Sequence, residues 1–325
     1  MIKFFRQSYA IQYVVIALLA IALWIPAFVS GKAMMGLGEP VTPLFNLIDG
    51  WLGFSPIAQH VFAFLLLIVG TLIFNEIMVK NQIVGKVSTL GAFVFVVLMS
   101  LTQTQTNFYP FILSFVFILL IINEIFDIYL QANPEMNLLK VGIFLALASM
   151  CYFPSILLIP WVMVSLPIVK KGTLRLELIP LTGFLFVYFL FFSGVYLFGD
   201  LLATIHGYRA YFLNVKLSVV GFNLQNIIVL GFLLIISLVL LLSNAQLEKS
   251  LAVRVKISMS VLMLVFAIVL LFVGSNVLMN GLVFIVLAML FSYEFTYMTN
   301  TGWANLILTL FLLLVFANHY YFKLL

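Results

Sequence analysis

Residues 38–80 read GEPVTPLFNLIDGWLGFSPIAQHVFAFLLLIVGTLIFNEIMVK. The second half, from Ile57 to Val79, is predominantly apolar and long enough for a bilayer-crossing helix, which needs about 20 residues. Ser55 and Pro56 stand at its start, a side-chain N-cap followed by proline at the first helical position. The first half has another character. Pro40 and Pro43 interrupt any helix continuing from the preceding apolar run. From there Leu44, Leu47, Ile48, Trp51 and Leu52 recur at i, i+3, i+4, i+7 and i+8, one apolar stripe of a helix. Asn46, Asp49 and Gly50 fall largely off the stripe. The pattern predicts a short helix along the membrane surface, with Trp51 at headgroup level, leading into a spanning helix.

The rest of the chain extends this reading. Its 325 residues are 65% hydrophobic and only 8% charged, where a soluble domain carries roughly 25% charged residues. So little charge cannot cover a water-facing surface, so lipid is the solvent for most of the chain. The 34 phenylalanines suit helix bundles and acyl chains alike. The net charge of +5 comes without a basic patch interleaved with aromatics, so no nucleic-acid partner is expected. A lone cysteine, Cys151, excludes an internal disulfide or a cysteine zinc site and reads as a buried, inert thiol. Near the N-terminus, Trp24, Ile25 and Pro26 stand where a signal peptide would carry small residues, so residues 10–30 read as a retained first span.

Apolar runs near 10–30, 57–79, 87–102, 108–128, 141–153, 154–169, 178–198, 224–243, 257–273, 276–292 and 304–322 predict an all-α, polytopic transmembrane bundle of about 11 spans. The run 141–169 is broken by Pro154 and Pro160, giving two short tilted spans or one broken element. With the N-terminus inside, eleven basic residues fall in inner connections and four, Lys32, Arg209, Lys216 and Lys323, in outer ones. That bias predicts a multi-pass inner-membrane protein with a cytoplasmic N-terminus. The two long connections, 31–56 and 199–223, are then both outer. No repeat, linker or low-complexity tract divides residues 1–325, which read as a single membrane domain.

Candidate chemistry gathers on the outer side, because loops on a rigid scaffold carry function. Glu39 and Asp49 suit a general base or a metal ligand at a surface cavity, and equally suit exposed loop acids. The turn 101–110 holds Gln103, Gln105, Asn107 and Tyr109, hydrogen-bonding groups fit for sugar hydroxyls or for water. His206, Arg209 and Lys216 in the second long connection match phosphate oxygens, of lipid headgroups or of a lipid-linked carrier. His60 lies one turn into the second span and reads as a packing histidine with satisfied nitrogens. On the inner side, Glu76 with Lys80, and Glu177 with Lys171 and Arg175, are spaced for local helix pairs. Glu124 and Asp127 suit snorkelling to the surface, or a proton relay. The Walker A, G-x-G-x-x-G, H-E-x-x-H, C-x-x-C and G-x-S-x-G patterns are absent. No predicted span carries a charge at mid-membrane, which argues against a proton-coupled transporter or channel.

Three stretches resemble the GT-C fold of integral-membrane glycosyltransferases, which transfer a sugar from a polyprenyl-phosphate carrier at the outer membrane face. They are GLGEPVTPLFNLIDGWLGFSPIAQHVFAFLLLIVGTLIFNEIMVK (36–80), LTQTQTNFYPFILSFVFILLII (101–122) and ALASMCYFPSILLIPWVMVSLPIVKK (146–171). Together they place a GT-C-like core over about 10–200, with additional spans over 201–325. The resemblance implies that Glu39, or else Asp49, is the base that deprotonates the acceptor. It implies that His206, Arg209 and Lys216 hold the carrier phosphate and that Gln103, Gln105 and Asn107 line the sugar pocket. Where the family has its second acidic motif, this chain has Gln103, Thr104 and Gln105. Amides are poor ligands for a hard cation, so no metal or other cofactor is expected. The partners implied are membrane lipid and a polyprenyl-phosphate-linked sugar, with membrane proteins as further candidates. The chain also resembles uncharacterised bacterial membrane families of this size. Two other functional classes stay open: a non-catalytic membrane subunit of a cell-envelope assembly, and a transporter or lipid flippase.

Overall fold

A computed structural model describes residues 2–7, 9–30, 41–53, 55–85, 87–101, 106–129, 131–169, 172–214, 231, 233–235, 237, 250–273, 280–298, 301–317 and 320. Among the described residues the chain is helical, with no strand. Helices α1 (Ile2–Phe5), α2 (Ala10–Ser30), α3 (Pro43–Leu52), α4 (Pro56–Lys80), α5 (Leu90–Met99), α6 (Pro110–Ile128) and α7 (Glu135–Cys151) precede a 3-10 turn, Phe153–Leu157. Then come α8 (Leu158–Ile168), α9 (Leu174–Phe198), α10 (Leu201–Asn214), α11 (Leu251–Val273), α12 (Asn280–Tyr297) and α13 (Thr301–Ala317).

Five helical segments among the described residues, Ala10–Val29, Pro56–Lys80, Pro110–Ile128, Leu174–Phe198 and Leu251–Val269, are long and apolar enough to cross a membrane. The chain is therefore a multi-pass membrane protein by helix length and composition. Other apolar runs among the described residues form shorter helices. Over 87–102 the helix is only the 10 residues of α5, about 15 Å at the usual rise. Every residue of α5 is buried, between α4 and α12, so protein covers it on all sides. The run 141–169 divides into α7 and α8 at Tyr152, where the backbone turns extended and Pro154, which lacks an N–H, sits in the intervening 3-10 turn. Most of the expected span 224–243 lies outside the described residues.

Local sequence explains the starts of several helices. Ser55 Oγ accepts the Ala58 N–H at 3.4 Å and Pro56 opens α4, as the sequence predicts. Thr173 does the same for α9 through Leu176 N–H. Packing then joins distant helices. Phe74 on α4 stacks on Phe95 of α5 at 4.6 Å, and Phe95 meets Phe115 of α6 in a tilted pair at 6.1 Å. Where α7 crosses α9, Gly142 and Gly183 bring the backbones into contact. A Cβ on Gly142 would lie 2.0 Å from the Pro180 carbonyl oxygen, and one on Gly183 2.6 Å from that of Leu139. Small residues at a crossing of this kind replace hydrophobic driving force with close packing.

The two ends of the bundle differ in charge. At one end α4 and α6 finish and α7, α9 and α11 begin. There Lys80 Nζ meets Asp127 at 2.6 Å, Lys140 meets Glu124 at 3.6 Å and Arg175 meets Glu135 at 2.9 Å. The expected local partners are displaced: Lys80 pairs with Asp127 on α6 rather than with Glu76, and Arg175 with Glu135 on α7 rather than with Glu177. Lysine and arginine chains reach across a helix interface as easily as along one turn, and the acid on the neighbouring helix is closer. Arg6 closes the same end, its Nη2 donating to the carbonyls of Phe295 (2.6 Å) and Met298 (3.1 Å) at the end of α12. Burial lowers the Arg6 pKa from its ordinary value. The opposite end carries α3, the 3-10 turn and α10.

Candidate functional site

The α3 end gathers uncharged polar groups around one carboxylate. The α3 helix lies over α4 and α7. Its seating differs from the predicted stripe. Phe45 is its buried residue and stacks on Phe108 at 5.1 Å, while Leu47 and Trp51 (82%) are exposed. Leu44, Ile48 and Leu52 pack partly on the core, so the stripe splits between protein and surroundings. Phe108 also meets Phe62 at 5.8 Å, and these rings form an aromatic floor.

Above that floor, Gln59 Nε2 donates to Asp49 Oδ1 at 2.9 Å. Gln59 is 5% exposed, and among the described residues its Oε1 is buried without a hydrogen-bond partner. The next residue, His60 (2% exposed), makes two contacts. Its Nδ1–H donates to the Pro56 carbonyl at 2.6 Å, and its Nε2 lies 2.9 Å from the Asn107 side-chain amide. A carbonyl only accepts, so the proton sits on Nδ1. The Asn107 atom at Nε2 is Oδ1; with a neutral ring protonated on Nδ1, the amide must be turned to present its NH2 there. The histidine is satisfied at both nitrogens, as its position in the sequence suggests. Phe28 packs on the same ring at 6.0 Å. Two residues beyond Asn107, Tyr109 is 1% exposed, and its hydroxyl has no partner among the described residues. Burial raises this phenol above its ordinary 10.0.

Two consecutive residues of α4 thus hold the site's polar groups, Gln59 bonding Asp49 and His60 meeting Asn107. Sequence reading missed Gln59; its position on the first turn of a spanning helix, beside His60, was the available signal. Glu39, Gln103, Gln105 and Lys216 lie outside the described residues.

His206 and Arg209 stand exposed on α10. Asp200 caps that helix, its Oδ1 accepting the Ala203 N–H at 3.1 Å. Tyr208 points inward and joins Phe153 and Val41 in a small buried cluster. Phe153 meets the rings of Tyr208, Tyr211 and Phe212 at 5.3, 5.0 and 5.2 Å. The Tyr208 phenol is raised by burial first and by neighbouring Tyr188 second. Val41 is the residue before Thr42 and α3, so this cluster brings α10 beside the start of α3. An open groove of about 380 Å³ runs over the junction of α9 and α10, lined by Phe189, Phe192, Ser193, Tyr196, Leu197 and Leu201.

At the charged end, Glu124 and Asp127 are both ion-paired, as above. Two further charges differ from expectation. Lys256 and Glu294 lie just beyond the apolar runs 257–273 and 276–292. Helices α11 and α12 extend further and bury both, Lys256 at 3% exposure and Glu294 at 0%. Among the described residues, no three His, Cys, Asp or Glu side chains converge as a metal site would require. In comparison with known proteins, the chain matches no protein-family model, no curated protein and no solved structure.

Proposed function

We propose that the chain is a membrane-embedded glycosyltransferase of GT-C type, acting on a polyprenyl-phosphate-linked sugar at the α3 end of the bundle. The observation that carries this reading is the Val41–Phe153–Tyr208 cluster, which sets α10 with its exposed His206 and Arg209 against the start of α3. A lipid chain fits the apolar groove at the α9–α10 junction. Its phosphate then meets Arg209 and His206 on the continuing helix, with Lys216 as a further cation. Arg forks match phosphate oxygens, and their charge stabilises the leaving phosphate.

The acceptor and sugar belong on the polar side of α3 and α4. Glu39, or Asp49 in its place, takes the proton of the acceptor hydroxyl. The acceptor oxygen bonds to the anomeric carbon, and the bond from that carbon to the carrier phosphate breaks. Asn107, Gln103 and Gln105 address sugar hydroxyls, with Asn107 held by His60. The gathering of Lys3, Arg6, Lys80, Lys140, Arg175, Arg254 and Lys256 toward the other end supports placing that end in the cytoplasm of a bacterial cell and the α3 end outside the inner membrane.

The test is binding of a polyprenyl phosphate to the purified protein in detergent, followed by turnover with a donor panel. Arg209→Ala is expected to weaken binding at least tenfold. Glu39→Gln and Asp49→Asn are expected to bind normally, and the variant that removes the base should lose about 10²–10⁴-fold in turnover. No saturable binding by the wild type rejects the transferase and leaves the envelope-assembly subunit as the reading to pursue.

A further inference from the structure

Glu294 lies in the last turn of α12, between Tyr293 and Phe295, and none of its surface is exposed. Ser237 Oγ, also fully buried, donates to Glu294 Oε1 at 3.2 Å. The other oxygen, Oε2, is buried and has no hydrogen-bond partner among the described residues. Among the described residues, no cation forms an ion pair with Glu294. Helices α5 and α13 bring none, and α12 has no other. On α6, Glu124 pairs with Lys140 and Asp127 with Lys80. Helix α11 carries Arg254 and Lys256, and neither forms an ion pair with Glu294. Arg6 directs its Nη2 to the carbonyls of Phe295 and Met298.

A buried carboxylate needs a cation or several donors, and Ser237 is one donor. A proton on Oε2 removes the charge instead. We propose that Glu294 and Ser237 form a proton-binding site inside the helix bundle, with the proton on Oε2 and the Ser237 hydrogen bond on Oε1. An apolar cavity of about 140 Å³ adjoins it, lined in part by Leu233, one turn before Ser237, and by Phe291 and Phe295 on either side of Glu294. Its lining is wholly apolar, which favours an apolar reagent over a charged one. The inference is independent of the transferase reading.

Dicyclohexylcarbodiimide tests it. A protonated carboxyl gives its proton to one carbodiimide nitrogen while its oxygen bonds to the central carbon. The O-acylisourea then rearranges to a stable N-acylurea, with no other reactant. Mass spectrometry of the intact protein in detergent at pH 6–9 is expected to find the adduct on Glu294, declining as pH rises. A water-soluble carbodiimide should leave the residue unmodified. Glu294→Gln should lose the adduct while melting as the wild type does. Ser237→Ala removes a donor to the charged form, so its modification should persist to higher pH. An unmodified Glu294 in folded protein at pH 6 overturns the proposal, as does an unchanged pH profile in Ser237→Ala.

Discussion

His60 ties three elements through two hydrogen bonds and a ring contact: the first turn of α4, the connection before α6 and, through Phe28, the end of α2. Truncating it removes the imidazole bond to the Pro56 carbonyl and the contact that holds the Asn107 side chain. His60→Ala is therefore expected to cost about 1–3 kcal/mol, measured by thermal unfolding in detergent, whereas His60→Gln should recover part of the loss. Tyr109 is the opposite case. Its buried hydroxyl brings no bond among the described residues, so Tyr109→Phe should stay within about 1 kcal/mol of wild type. The same burial predicts an alkaline effect. The folded phenol titrates above the unfolded value of 10.0. Its contribution is intact below pH 10.0 and is lost as pH rises through the folded value. Tyr109→Phe should thus hold its helicity further into alkali than wild type, with Tyr208 accounting for a remaining loss; equal profiles would refute this.

At the scale of elements, helix contact in an apolar solvent depends on fit, since lipid is as apolar as the helix surface. The α7–α9 crossing shows the consequence. Gly142→Ala places a methyl where the Pro180 carbonyl stands, and backbone cannot give way as a side-chain end can. The variant should lose about 1–3 kcal/mol, read as earlier loss of helicity in a denaturing-detergent titration. Gly194, in α9 with open space around it, is the control: Gly194→Ala should be neutral or stabilising, because alanine is the better helix former. Similar losses in both would mean that the crossing is not closely packed in the membrane.

For the whole molecule, the separation of charge between ends orients the bundle. Cys151 is buried, so it forms a silent background for thiol labelling. Ala203→Cys on exposed α10 and Met136→Cys at the start of α7 report opposite ends. A membrane-impermeant maleimide added to intact cells should label the first and spare the second until the membrane is opened. The reverse pattern would invert the proposed orientation and move the Asp49 and Arg209 groups to the cytoplasm.

Composition alone established that lipid is the solvent, and runs of apolar residues established that helices fill it, because both follow from the chemistry of residues adjacent in the chain. The caps at Ser55 and Thr173 are local for the same reason: donor and acceptor are three residues apart. What faces each helix is not a local property. The α5 segment is apolar all round, and such a surface reads alike against lipid or against protein; only its place between α4 and α12 makes it a short buried helix. Phe45 takes the buried position on α3 because Phe108 arrives to stack on it. Lys80 takes Asp127 over Glu76 because α6 ends beside α4. Asn107 meets His60 and Ser237 meets Glu294 across 47 and 57 residues of chain. These pairings set the chemistry of both polar sites, and they exist only once the helices have packed.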